Sequence, residues 1–201
     1  MTILAARSVA HFFCEAVEDA IRSRGVTATD GAAQYLVALL TDYAHPEGRA
    51  EEALDRPLTL LLDEALRIGH RAERFERLRT LGDGVLYASG FFGAHFEARG
   101  VDPKYLRGLG TRAYGAASSM LRHGGEEATG PDLFAELADN FDEFVDVLTE
   151  VADSTLAMGA ETARGLVRAY ERWLKTGSER LASALTSQGV LPTRGPKGVL
   201  Q

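Results

Sequence analysis

The chain has a single cysteine, Cys14, in 201 residues, so it can form no intrachain disulfide and fits a reducing compartment. It also lacks long apolar runs. The longest, such as Tyr35-Leu36-Val37-Ala38-Leu39-Leu40, fall far short of the roughly 20 residues that span a bilayer. Met1 to Ala20 has no basic region followed by an apolar stretch and a small-residue cleavage site. His11, Glu15, Glu18 and Asp19 interrupt it, so it reads as an amphipathic helix rather than a secretory signal. The expectation is a cytoplasmic chain, neither secreted nor membrane-spanning. Positive charge is scarce in the mean: the net charge is −7 and the pI near 5.3, which argues against nucleic acid or anionic lipid as the partner. No alternating β-branched run, no Asn-Gly hairpin turn and no fixed-period repeat is present.

What the sequence does contain is helical periodicity. Val9, Phe12, Phe13, Ala16, Val17, Ala20 and Ile21 recur at three- and four-residue spacing over Ile3 to Arg24, and Gly25 ends the run. Thr27 or Thr29 caps a second helix that stops before Pro46, and Pro46 to Pro57 reads as a solvated connection. Leu58 to Arg67 follows, with Pro57 at its first position. A long segment from His70 to Arg99 is expected to be interrupted at Gly82 and Gly84. Asp102-Pro103 starts the next helix, which runs to Arg122, and His123 to Gly130 is a loop. Pro131 then begins one helix whose stripe is Leu133, Leu137, Phe141, Phe144, Leu148 and Val151. The last large helix, Glu161 to Thr176, ends at Gly177, and Ser178 caps a short helix to Ser187. These elements make a single all-α domain over residues 1–190, a bundle of six to eight helices, with a mobile tail over 191–201.

Candidate chemistry is sparse. Gly82-Asp83-Gly84 lacks the strand before it and the Lys-Ser/Thr pair after it, so it is no phosphate loop. No Gly-x-Ser-x-Gly elbow occurs, and no paired Glu-x-x-His motifs stand ready for a di-iron centre. Asp42-x-x-His45 and His70-x-x-Glu73 are lone pairs on solvated stretches, and no metal site is assigned. Cys14 reads as an inert thiol.

Three features remain. First, 21 glycines are many for a helical protein, because an interior glycine costs about 1 kcal/mol relative to alanine. They concentrate at Gly82 to Gly93 and at Gly108 to Gly115, giving nearly bare helix faces. Such faces pack on each other or on a second subunit, with Gly90 and Gly93 as interface candidates. Alternatively, an apolar ligand lies over them, lined by Tyr87, Phe91, Phe92 and Tyr114. Second, no lysine or arginine occurs between Arg122 and Arg164, a gap holding eleven acidic residues from Glu126 to Glu161. Arg164, Arg168, Arg172 and Lys175 follow at near-helical spacing. Docking of the acidic helix on its basic neighbour, or of one such face on another chain, accounts for the layout, with Arg164 and Arg168 as interface candidates. Third, His11-x-x-x-Glu15 stands on the first helix.

A histidine near the N-terminus, followed one turn later by glutamate and joined to a glycine-rich helix, is similar to haem oxygenase-like folds. That resemblance implies His11 as an iron ligand and haem as the cofactor, although the glycine-rich segment comes early in this chain. Four stretches, LGDGVLYASGFFG from Leu81, VDPKYLRGLGTRAYG from Val101, FAELADNFDEFVDVLTEV from Phe134 and YERWLKTGSERL from Tyr170, together resemble an uncharacterised family of helical proteins of about this length from myxobacteria and related proteobacteria. This second resemblance implies one continuous helical domain and carries no activity or site. The expected function is a cytoplasmic protein-binding or assembly module, homodimeric and not an enzyme. The alternative is a small-molecule or cofactor binder, including a haem oxygenase-like enzyme.

Overall fold

A computed structural model describes residues 2–44, 58–122 and 132–193, with side chains from residue 9. Among the described residues there are nine α-helices and no strand: α1 (Thr2–Arg24), α2 (Asp30–Tyr43), α3 (Leu58–Arg67), α4 (Arg71–Ala98), α5 (Pro103–Arg122), α6 (Leu133–Asp139), α7 (Phe141–Gly159), α8 (Ala163–Thr176) and α9 (Glu179–Ser187). The all-α class is as expected. The proposed connection at 46–57, the loop at 123–130, helix starts at Pro57 and Pro131, and residues 194–201 of the tail lie outside the described residues. No described helix is long and apolar enough to cross a membrane.

Helix ends follow local chemistry. Gly25 has φ +65°, and beyond it the Val26 N–H bonds back to the Ile21 carbonyl at 3.1 Å, closing α1. Thr29 is the cap of α2: its hydroxyl accepts from the Ala32 N–H at 3.2 Å. Asp102 accepts from the Lys104 N–H at 2.9 Å just before Pro103. Gly177, with φ +70°, stops α8, and Ser178 caps α9.

Two expectations are corrected. The predicted interruption at Gly82 and Gly84 does not occur: α4 runs unbroken for 28 residues. Gly82 makes room for the Tyr114 ring instead of breaking the helix. Conversely, the stripe from Leu133 to Val151 is carried by two helices. Asn140 leaves helical geometry at φ −105° and ψ 24°, although the Phe144 N–H still bonds its carbonyl at 3.0 Å. Asparagine competes for backbone partners and favours helix ends. This turn supplies the ninth helix.

Contacts group the chain into two compact units, Met1–Thr149 and Glu150–Gln201, with the boundary inside α7. In the first unit, α4 and α5 form an antiparallel hairpin. Arg71 at the start of α4 bonds the Met120 carbonyl at the end of α5. The core holds Leu36, Leu78, Leu86, Tyr114, Phe144 and Leu148, all fully buried. α6 meets α2 through Glu136, whose carboxylate accepts from the Thr29 N–H at 2.7 Å and the Thr29 hydroxyl at 2.5 Å. The second unit packs α8 and α9 around Ala160, Ala169, Trp173, Leu181 and Leu185.

Candidate binding surfaces and a buried carboxylate

The first unit contains a polar knot that joins three helices. Asp83 on α4 accepts on Oδ1 from the Tyr35 hydroxyl of α2 at 2.6 Å and from the Tyr114 hydroxyl of α5 at 2.7 Å. Arg79, one turn earlier on α4, sets its Nε 4.0 Å from Oδ2. Burial pushes the Asp83 carboxyl above its usual range; the two tyrosine bonds and Arg79 pull it back only partly, and Asp42 adds to the rise. Tyr35 and Tyr114 are raised in turn, by burial first and by the neighbouring carboxylate second. Both phenolic protons are committed to one carboxylate oxygen, so the knot reads as a clamp rather than as an acid–base pair aimed at a substrate.

Tyr114 therefore does not share a surface with the other three residues expected around a ligand. It is 0% exposed, and its ring lies against Gly82, where an added Cβ would meet ring atoms at 2.5 Å. Its aromatic neighbours are Tyr35, Phe134 and Phe141. Tyr87, Phe91 and Phe92 do come together, as a separate ladder. Tyr43 stacks on Tyr87 at 4.4 Å, Tyr87 stacks on Phe91 at 4.7 Å, and Phe92 meets Tyr87 edge-on at 5.8 Å. Phe92 is 44% exposed, and burial raises the Tyr87 hydroxyl pKa.

The small-residue faces are filled from within the chain at Gly82, Gly90 and Gly110, whereas Gly93, Gly108 and Gly115 have nothing within 4 Å of their Cβ positions. An added Cβ on Gly90 would meet Leu148 Cβ at 2.5 Å, and one on Gly110 would enter the Phe141 ring. The Thr149 hydroxyl also donates to the Gly90 carbonyl at 3.3 Å. Gly93 differs, because nothing lies within 4 Å of its Cβ position. The two interface candidates on α4 thus have unlike surroundings.

His11 is 77% exposed and sits 3.6 Å from Glu15 on its own helix. Among the described residues no group of three or more His, Cys, Asp and Glu side chains is placed to hold a metal ion. The Cys14 thiol donates to Glu18 at 3.5 Å, and that carboxylate raises its pKa, the opposite of an activated cysteine.

In the second unit the charge layout resolves into pairs and a remainder. Arg172 on α8 binds Asp153 at 2.6 Å, with both side chains largely buried, and Arg180 on α9 binds Glu150. These pairs join the acidic α7 to the basic helices that follow it. Arg164, Arg168 and Lys175 are exposed and make no ion pair among the described residues. Beside them on α8, Val167 is 58% and Leu174 44% exposed, while Ala169 and Trp173 of the same helix are buried. α8 therefore has a packed face, an uncovered apolar pair flanking it, and the cations beyond that pair.

Sequence reasoning missed the knot. Arg79 and Asp83 are visible as an i,i+4 pair, but Tyr35 reads as a member of an apolar stripe and Tyr114 as a ligand-lining candidate. No protein-family model, curated protein or solved structure matches this chain.

Proposed function

We propose that the chain is a helical protein-binding and assembly module, acting in the cytoplasm through the outer face of α8 and self-associating as a homodimer. The observation that carries this reading is the exposed pair Val167 and Leu174, seven residues apart on one flank of a helix whose adjacent face is already packed. Covering two such side chains contributes about 2–4 kcal/mol per copy. Arg164 and Arg168, bordering them, supply orientation and specificity more than raw affinity. The single cysteine supports the cytoplasmic setting.

The test is the double variant Val167→Ser/Leu174→Ser, compared with wild type by sedimentation velocity and thermal melting. The expected result is an associating wild type and a monomeric variant with an unchanged melting midpoint. A variant that associates like wild type removes α8 from the reading.

A second reading has its own observation. The Tyr43–Tyr87–Phe91 ladder, with Phe92 open beside it, suits a planar apolar ligand that extends the stack. Native mass spectrometry checks it: bound mass that denaturation removes, and that Phe92→Ala loses, favours this second function.

A further inference from the structure

We infer that the partner surface for α8 is the acidic stripe on α6 and α7 of a second copy of this chain. The inference rests on the assembly reading above and names the surface that α8 meets. Asp139, Asp142, Glu143 and Asp146 are all exposed, with Asp139 three and four residues before Asp142 and Glu143, and Asp146 four and three residues after them, on one side of the α6–α7 segment. Arg107 is the cation beside them, 3.2 Å from Asp142 and 3.8 Å from Asp146. Asp139 and Glu143 make no ion pair among the described residues. No lysine or arginine occurs anywhere between Arg122 and Arg164, so this segment cannot neutralise itself.

The outer face of α8 is its complement. Arg164, Arg168 and Lys175 project from one side with Glu171 as the only carboxylate of that helix. At a rise of about 1.5 Å per residue the cations extend over about 16 Å, and the carboxylates over about 10 Å. Two helices laid side by side can therefore bring these charges into register. The two buried carboxylates of α7 in this unit are already engaged: Asp153 holds Arg172 and Glu150 holds Arg180. A second copy presents Asp139, Asp142, Glu143 and Asp146 as an exposed block of negative charge. Opposed fields of this kind steer encounter and reject like-charged partners.

Charge exchange between copies tests the pairing. One variant carries Arg164→Glu and Arg168→Glu, and the other carries Asp139→Lys and Glu143→Lys. All four side chains are exposed, and each variant's melting curve verifies its fold. Each variant alone is expected to associate at least about tenfold more weakly than wild type, because like charges then face each other. An equimolar mixture restores association, since each copy now offers the charge that the other requires. A mixture that stays monomeric while both parents are monomeric overturns the inference. So does retention of wild-type association by the stripe variant. If only the α8 variant loses association, α8 remains a docking face and the stripe is not its partner. A wild type that is monomeric at every concentration overturns the pairing and the homodimer together.

Discussion

At the residue scale the most consequential side chain is Asp83, because one carboxylate oxygen holds hydroxyls from two other helices. Asp83→Ala would leave two phenolic hydroxyls without their acceptor, Tyr114 being fully buried, and an unmet buried donor costs about 1–3 kcal/mol. The expected loss is about 2–5 kcal/mol in urea unfolding. Asp83→Asn behaves differently, since the amide oxygen still accepts from both tyrosines. The folded-state pKa of Asp83 is raised by burial, so the folded protein holds this proton more tightly than the unfolded chain does. Its contribution is therefore fully present below the unfolded value, near pH 4, and is lost as pH rises through the folded value. Asp83→Asn removes that loss. The stability difference between Asp83→Asn and wild type is expected to grow in favour of the variant as pH rises from about 4 towards neutrality. A difference that is flat with pH, or that grows in the other direction, would show that the carboxylate is not strained by its burial.

At the scale of elements, α4 shows how one residue type serves opposite ends. Gly90 lies under Leu148, where the nearest atoms include backbone that cannot swing aside, whereas Gly93, three residues on, faces open space. Gly90→Ala should cost about 1–3 kcal/mol through overpacking. Gly93→Ala should gain up to about 1 kcal/mol from helix propensity, because nothing opposes the methyl. Urea midpoints of the two variants moving in the same direction would refute this division. The contrast also marks what could be read beforehand. Helix ends were legible because their signals are local: Gly25, Thr29, Asp102 and Gly177 each act within a turn of themselves. The function of the interior glycines was not, since it depends on which ring or leucine arrives from another helix. The same holds for the ligand candidates. Tyr87, Phe91 and Phe92 share one helix and met as their spacing suggested, while Tyr114 is on α5 and turned to Asp83. The division at Asn140 escaped notice because the apolar stripe continues through it in phase.

At the scale of the whole molecule the two units differ in what holds them. The first has a core drawn from several long helices, whereas the second relies on Ala160, Ala169, Trp173, Leu181 and Leu185, with the Asp153–Arg172 pair beside them. Below roughly 70–80 residues a single core rarely supplies more than about 3–5 kcal/mol. Proteins also open locally in cooperative segments of unequal stability. The segment built on α8 and α9 should therefore open at lower denaturant than α4 and α5. The chain provides its own probe, because its only tryptophan, Trp173, lies in that smaller core. Tryptophan fluorescence reports the second unit, and far-ultraviolet circular dichroism reports helix throughout. In urea the fluorescence midpoint is expected first, with the larger part of the dichroism change following. Arg172→Met sharpens the comparison. It leaves Asp153 buried without its guanidinium, a loss of about 3–5 kcal/mol when one member of a buried pair is removed. The fluorescence midpoint should then fall further while the later dichroism transition stays in place. Coincident midpoints in wild type, shifted equally by Arg172→Met, would mean that the helix shared through Thr149 and Glu150 binds both units into one cooperative transition.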